Sequence, residues 1–378
     1  MPTITTSYTT ISNPEAAATD LVRKAQEGLE GDPTLAVLFA TTQYDTQGLV
    51  ACAFDSLHGV PLWGGSSSSG IFTEAGWITA DDGAAGLMLI SDRQAGVGVA
   101  EVGEDPEDAG RRATQAAIDG LRAPAGALLT ISFMGPEEAI LKGVSAVAPG
   151  VPVAGGTSSD HSPDGKFQQF ANGTAYQGHV AVAALAGAVG HAFTNGYRPT
   201  GKVATVTKAE GRRAYELGDR RAMDVYSEWV GRPETEIGGG AILAFSVEHP
   251  LLFHKDGLTY SAHPVNTNPD GSIDFGAAMT PGMVLELGEN SVNGLIAEAG
   301  TAAHAAAKGV ESPKGVVLAY CGGRAIALGE RIGEIPGEVE HTLGALPMIG
   351  YLAFGEQGTA VRAIPTHADL SVSTLVLG

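Results

Sequence analysis

The stretch Gly59-Val-Pro-Leu-Trp-Gly-Gly-Ser-Ser-Ser-Ser-Gly70 returns as Gly150-Val-Pro-Val-Ala-Gly-Gly-Thr-Ser-Ser-Asp160 and, more loosely, as Ala345-Leu-Pro-Met-Ile-Gly-Tyr351. Each time, a small or apolar residue and a proline open a strand with glycines near its start. Each time, an apolar strand and a helix come before it. The strand at 34–42 and the helical spacing of 44–58 precede the strand at 60–69. A strand at 127–133 and a helix at 135–147 precede 151–157, and a strand at 315–320 and a helix over 324–343, with Pro336 as a break, precede 348–354. A strand–helix–strand unit of this length suits a crossover between neighbouring parallel strands. The pattern predicts an α/β fold: two associated domains with mixed sheets built from repeated strand–helix–strand units, whose glycine-bearing strand ends face a shared cavity.

Outward from these units, Asn13 and Pro14 mark a helix start, so residues 1–33 read as an N-terminal helical extension. The runs 86–91 and 97–102 alternate and read as a hairpin, and Asp105-Pro106-Glu107 starts a helix through Leu121. Residues 177–186 and 202–207 read as strands, and 221–230 as a short helix. The run Gly238-Gly239-Gly240 suggests a boundary near residue 235, giving a first domain at 34–235 and a second at 236–378. The second half reads as strands at 241–247, 258–263, 272–277 and 371–377, with an alanine-rich helix at 291–308.

The chain has 378 residues, 44% apolar and 17% charged, which describes a folded globule. With 42 acidic and 22 basic residues its formal charge is −20, a field that repels phosphate backbones and anionic lipid. No nucleic-acid partner and no membrane insertion are expected. No stretch approaches the roughly 20 apolar residues of a membrane span. The first residues lack the basic-then-apolar pattern of a signal peptide. Cys52 and Cys321 stand far apart, outside any CxxC. A reducing, cytoplasmic setting fits. Oligomeric state is not readable.

The chemistry-bearing residues cluster at the returns. Gly65, Ser66, Ser67 and Ser68 in one, and Gly156, Thr157, Ser158 and Asp160 in the other, combine glycines that admit a ligand to the backbone with hydroxyls that donate or accept. Such nests suit a carboxylate. Polar loops at strand ends are the plainer alternative. Neither run supplies the lysine of a P-loop, the third glycine of a dinucleotide fingerprint or the GxSxG of a serine hydrolase. The ten histidines form no HxxxH or HExxH pair, so no metal site is expected, although a single histidine would suffice as an axial haem ligand. In Tyr320-Cys321-Gly322-Gly323-Arg324 a thiol ends a strand beside an arginine able to depress its pKa, an arrangement open to nucleophilic catalysis. A small buried cysteine at a strand end, with Arg324 anchoring a carboxylate, is the plainer reading. Glu356, just past the third return, is a candidate ligand contact or base.

These segments resemble the FIST family. Residues 59–70 are similar to the vPxiGcsssG stretch of its N-terminal domain, 150–160 to that domain's second glycine-rich stretch, and the run ending at 178–185 to its closing strand. Cys321-Gly-Gly-Arg324 and Pro347-Met-Ile-Gly-Tyr-Leu-Ala-Phe-Gly-Glu356 resemble the C-terminal domain's C-x-G-R and GfyxxGE signatures. The chain departs at Ala262-His263-Pro264, where many members show an arginine, and at Ala368-Asp369-Leu370-Ser371, where an Asn-x-Thr ending is common. The resemblance implies a FIST N-terminal domain at 34–235, a FIST C-terminal domain at 236–378, and an intracellular sensor of amino acids or small carboxylates that signals through a separate partner. Some relatives bind haem, which keeps a haem-based gas sensor open. An enzyme using Cys321 or a loop serine is the other alternative. In the sensor reading Arg324 grips a ligand carboxylate through a two-donor fork, and Asp160 or Glu356 meets its amine.

Overall fold

Each of the three returns closes a pair of parallel strands joined through a helix. The structure is a computed structural model describing residues 3–161, 165–255, 257–360 and 365–378. Leu35–Thr41 runs parallel to Leu62–Ser67 through the helix Thr46–Ser56. Ala125–Ser132 runs parallel to Val153–Thr157 through Glu137–Val147. Gly315–Cys321 runs parallel to Met348–Ala353 through the helical segment 322–343. These strands are apolar on both faces because both faces are covered. Leu35, Val37 and Phe39 enter a core shared by all three units, while Ala36, Leu38 and Ala40 meet helices on the other side.

Among the described residues the strands form four sheets, three of six strands on one plan. The parallel pair lies at the centre. On one side stand a closing antiparallel strand and the strand that opened the unit. On the other side stands a two-stranded ribbon from a different unit. The ribbon Ile71–Thr73 with Gly76–Ile78 leaves the first unit and pairs with Met348–Ala353 of the third. The second unit gives Gln169–Ala171 with Thr174–Tyr176 to Leu62–Ser67 of the first. The third gives Glu356–Thr359 with Pro365–Ala368 to Val153–Thr157 of the second. The exchange closes on itself. Close strand approach is written into the glycines: a Cβ on Gly155 (φ +139°) would lie 1.9 Å from Thr130 O.

The third unit is interrupted. Between its opening strand Val189–Thr194 and its helix Val292–Ala307 lies an inserted lobe over 198–289, an eight-stranded antiparallel sheet with the helix Ala222–Val230. Its own core includes Tyr226, Phe253 and Leu285.

Several local expectations give way. Ala85–Ile90 and Ala95–Glu101 are strands of different sheets, not a hairpin, since Ala85–Ile90 pairs with Ile4–Thr9 and Leu35–Thr41, and Ala95–Glu101 with His179–Ala186. Ile4–Thr9, within the stretch expected to be only a helical extension, is thus an edge strand. Residues 241–247, expected as a strand, begin with the helix Ala241–Phe245; so short an apolar run carries no period that separates the two. The helix expected over 324–343 divides at Gly329 (φ +55°), while Pro336 occupies the first turn of Ile335–Leu343, where its missing N–H costs nothing. The expected division near residue 235 falls inside the inserted lobe.

Candidate ligand site

The glycine–serine loops meet one another, and their hydrogen-bonding groups are largely occupied. Ser66 Oγ accepts from Gln168 N at 2.8 Å. Ser67 Oγ donates to Gly70 O at 2.6 Å and accepts from Leu352 N at 3.0 Å. Ser158 Oγ donates to Ser132 O at 3.0 Å and accepts from Gln169 Nε2 at 2.6 Å. The N–H groups of Ser66, Thr157, Ser158 and Ser159 donate to the carbonyls of Gln168, Gly355, Ser132 and Ser66. These N–H groups are therefore not free to cradle an anion. A Cβ on Gly65 would strike Ile131, and one on Gly156 would meet Ala353 and the Tyr351 hydroxyl. Ser68 lies beside them with its carbonyl 3.2 Å from His161 Nδ1, and Asp160 Oδ2 accepts from Lys166 N at 2.8 Å. These loops are joints that bind the three units together.

Polar atoms without partners collect next to those joints, around the third unit. Arg324, in the first turn of the helix Gly322–Leu328, is fully buried between the rings of Tyr197 and Tyr320, 5.6 and 5.3 Å from their centroids. Its Nη2 donates to Asn195 O and Leu370 O, while Nε and Nη1 have no hydrogen-bond partner. Nη2 belongs to both two-donor edges of a guanidinium, so single donors are left and not the fork expected from the sequence. Glu356 heads its ribbon strand opposite Gly156; its Oε2 accepts from Ser371 N at 2.8 Å and Oε1 has no hydrogen-bond partner. The Tyr351 hydroxyl and Thr157 Oγ1 are likewise buried and without one.

Burial dominates the electrostatics. It pushes the Glu356 carboxyl well up, against the Ser371 N–H and Arg324. It pushes the Cys321 thiol up as well, with Glu356 adding to the effect and Arg324 opposing it. The thiolate that Arg324 was to stabilise does not form at neutral pH, because desolvation and a neighbouring carboxyl outweigh one guanidinium. Asp369 is also raised by burial, with His367 pulling the other way.

His367 borders this cluster with its side chain wholly out of solvent. It is buried, its Nε2 lies 3.6 Å from Asp369 Oδ1, and neither ring nitrogen makes a hydrogen bond. Asp369 Oδ2 accepts from His263 N at 3.0 Å. On its other side His367 lines a cleft of about 590 Å³ between the inserted lobe and the three-unit core, together with Glu138, Leu141, Phe253, Lys255 and Thr280. The lobe and the core are tied by a half-buried ion pair in which Arg212 Nη2 of the lobe reaches Glu137 Oε2 at 2.6 Å. Sequence reasoning singled out neither His367 nor Asp369 as a site residue. Their i, i+2 spacing, histidine then aspartate, was the available signal. The described residues hold no group of three or more His, Cys, Asp or Glu placed to bind a metal. No helix among them is long and apolar enough to cross a membrane.

Compared with known proteins, residues 34–220 match the FIST N domain and residues 222–359 the FIST C domain. No curated protein matches. A solved structure titled "Structure of PurLQS from Thermotoga maritima" aligns over 99% of this chain and 72% of that one, at 10% identity and a TM-score of 0.25, too low to carry an argument.

Proposed function

Because this chain belongs to the FIST family, we propose that it is a small-molecule sensor whose ligand enters the cleft between the inserted lobe and the core. FIST domains are associated with signal transduction and small-ligand sensing. The supporting observation is the set of buried polar atoms without hydrogen bonds: Nε and Nη1 of Arg324, Oε1 of Glu356, the Tyr351 hydroxyl and both nitrogens of His367. Each such atom costs about 1–3 kcal/mol when left unpaired. A site that tolerates several together is one whose partners arrive from outside.

The chemistry suits an amino acid or other small carboxylate. Lys255 at the rim attracts the anion, and the buried His367–Asp369 pair and Arg324 behind it are reached when the lobe shifts to admit the ligand. Glu138 on the opposite wall suits an amine. Glu356 and Thr157 lie fully buried outside the cleft's lining, and Ser66, Ser67 and Ser158 are held in the joints between the units. Output passes to a separate signalling protein through a shift of the lobe, because the ligand touches both of the cleft's walls.

The test is a thermal-denaturation screen against amino acids and small carboxylates. A ligand at a hundred times its Kd adds about 2.7 kcal/mol and raises the midpoint. His367→Ala should abolish that rise while the unliganded variant still folds. A panel that leaves the midpoint unmoved at millimolar concentrations, or a rise that survives His367→Ala, removes the proposal.

A further inference from the structure

A second hollow lies on the other side of the third unit's ribbon. It measures about 740 Å³ and shares none of the cleft's lining residues. One wall is the strand Val189–Thr194, at the edge of its sheet. Pro152, Leu258 and Ala305 supply the others. Among the described residues no charged side chain lines it, in a protein of net charge −20. Three polar side chains do: His191, Thr194 and Thr359. Thr359 Oγ1 is engaged, accepting from Val153 N at 2.8 Å. Thr194 Oγ1 is buried with no partner, and no hydrogen bond is found for the His191 ring among the described residues. Burial pushes the His191 imidazole below its ordinary value, so at neutral pH it offers one donor and one acceptor without charge.

We infer that this hollow is a second ligand site, built for an uncharged, largely apolar small molecule that carries a hydrogen-bonding group for His191 and Thr194. A charged ligand would give up part of its hydration there and find no countercharge among the described lining residues. The apolar walls give water few partners. Pockets of 300–1,000 Å³ with apolar walls and a few placed polar groups are the usual form of small-molecule sites, and this one falls within that range. The assignment stands on this hollow alone and is independent of the sensor reading at the cleft.

Nile red, an uncharged polarity-sensitive dye with a carbonyl acceptor, tests it on the full chain. Wild-type protein should show saturable, blue-shifted fluorescence at one dye per chain. Ala305→Trp and Leu258→Trp each push an indole into the hollow, and each should abolish that signal. His191→Phe keeps the wall apolar and should weaken binding about fivefold, the worth of one hydrogen bond. Thr280→Trp, in the cleft, should leave dye binding unchanged. Circular dichroism checks that every variant is folded. Absence of saturable binding, binding that survives both indoles in folded protein, or equal loss in Thr280→Trp would overturn the assignment.

Discussion

His263 is where the inserted lobe touches the polar cluster. Its ring lies 2.9 Å from Leu243 O, its N–H donates to Asp369, and a Cβ on Gly323, next to Arg324, would fall 3.0 Å from it. Burial pushes its pKa down to about 4, against the Leu243 carbonyl. The unfolded chain therefore takes up a proton at 6.5 that the folded chain refuses until about 4. Stability contributed by the neutral imidazole is present above pH 6.5 and is lost as the pH falls to 4, by about 3 kcal/mol. Asp369 and Glu356, both raised, act in the opposite sense, favouring the fold as pH falls toward their unfolded values. Urea midpoints measured from pH 7 to pH 4 should decline in the wild type and decline less in His263→Gln, where both carboxyls remain. An identical decline in the variant would place the titration elsewhere.

At the scale of elements, the exchanged ribbons make one unit's residues structural parts of another. Phe72 belongs to the first unit by chain but packs against Trp77 and Tyr320, in the core of the third. Phe72→Ala should cost about 3–5 kcal/mol, and hydrogen exchange should show the loss in Gly315–Cys321 and Met348–Ala353 before Leu35–Thr41. A uniform loss, or one confined to the first unit, would contradict the exchange. The three parallel pairs were legible from the repeated proline and glycine punctuation, because each unit's crossover is local. The ribbons were not. Ile71–Thr73 and Glu356–Thr359 are short and their partners lie far along the chain, so nothing in their own residues names the strand they join. The same holds for the candidate site: Arg324 and Glu356 stood out as candidates by residue type beside glycines, whereas His367 gains meaning only from the lobe that folds over it. Ala85–Ile90 and Ala95–Glu101 looked like a hairpin because alternation reports a half-covered strand without reporting its neighbour.

For the whole molecule, the FIST N and FIST C matches divide the sequence near residue 221, but the strands do not divide there. Val189–Thr194 pairs with Val372–Leu377, and two ribbons cross between the halves. Fragments 1–221 and 222–378 expressed separately should each lack a cooperative unfolding transition, and co-expressed they should purify as one complex. A cooperative transition in either fragment alone would show that the cyclic exchange is dispensable. The pairing of Val189–Thr194 with Val372–Leu377 also sets an order of assembly. On the ribosome the earlier strand waits through the synthesis of the entire inserted lobe and the third crossover before its neighbour emerges. The lobe, with its own core, can settle meanwhile, but Phe39, Trp63 and their neighbours stay without their third wall until the last segment arrives. Protein made slowly or stopped before residue 372 should therefore depend on chaperones far more than its finished stability implies.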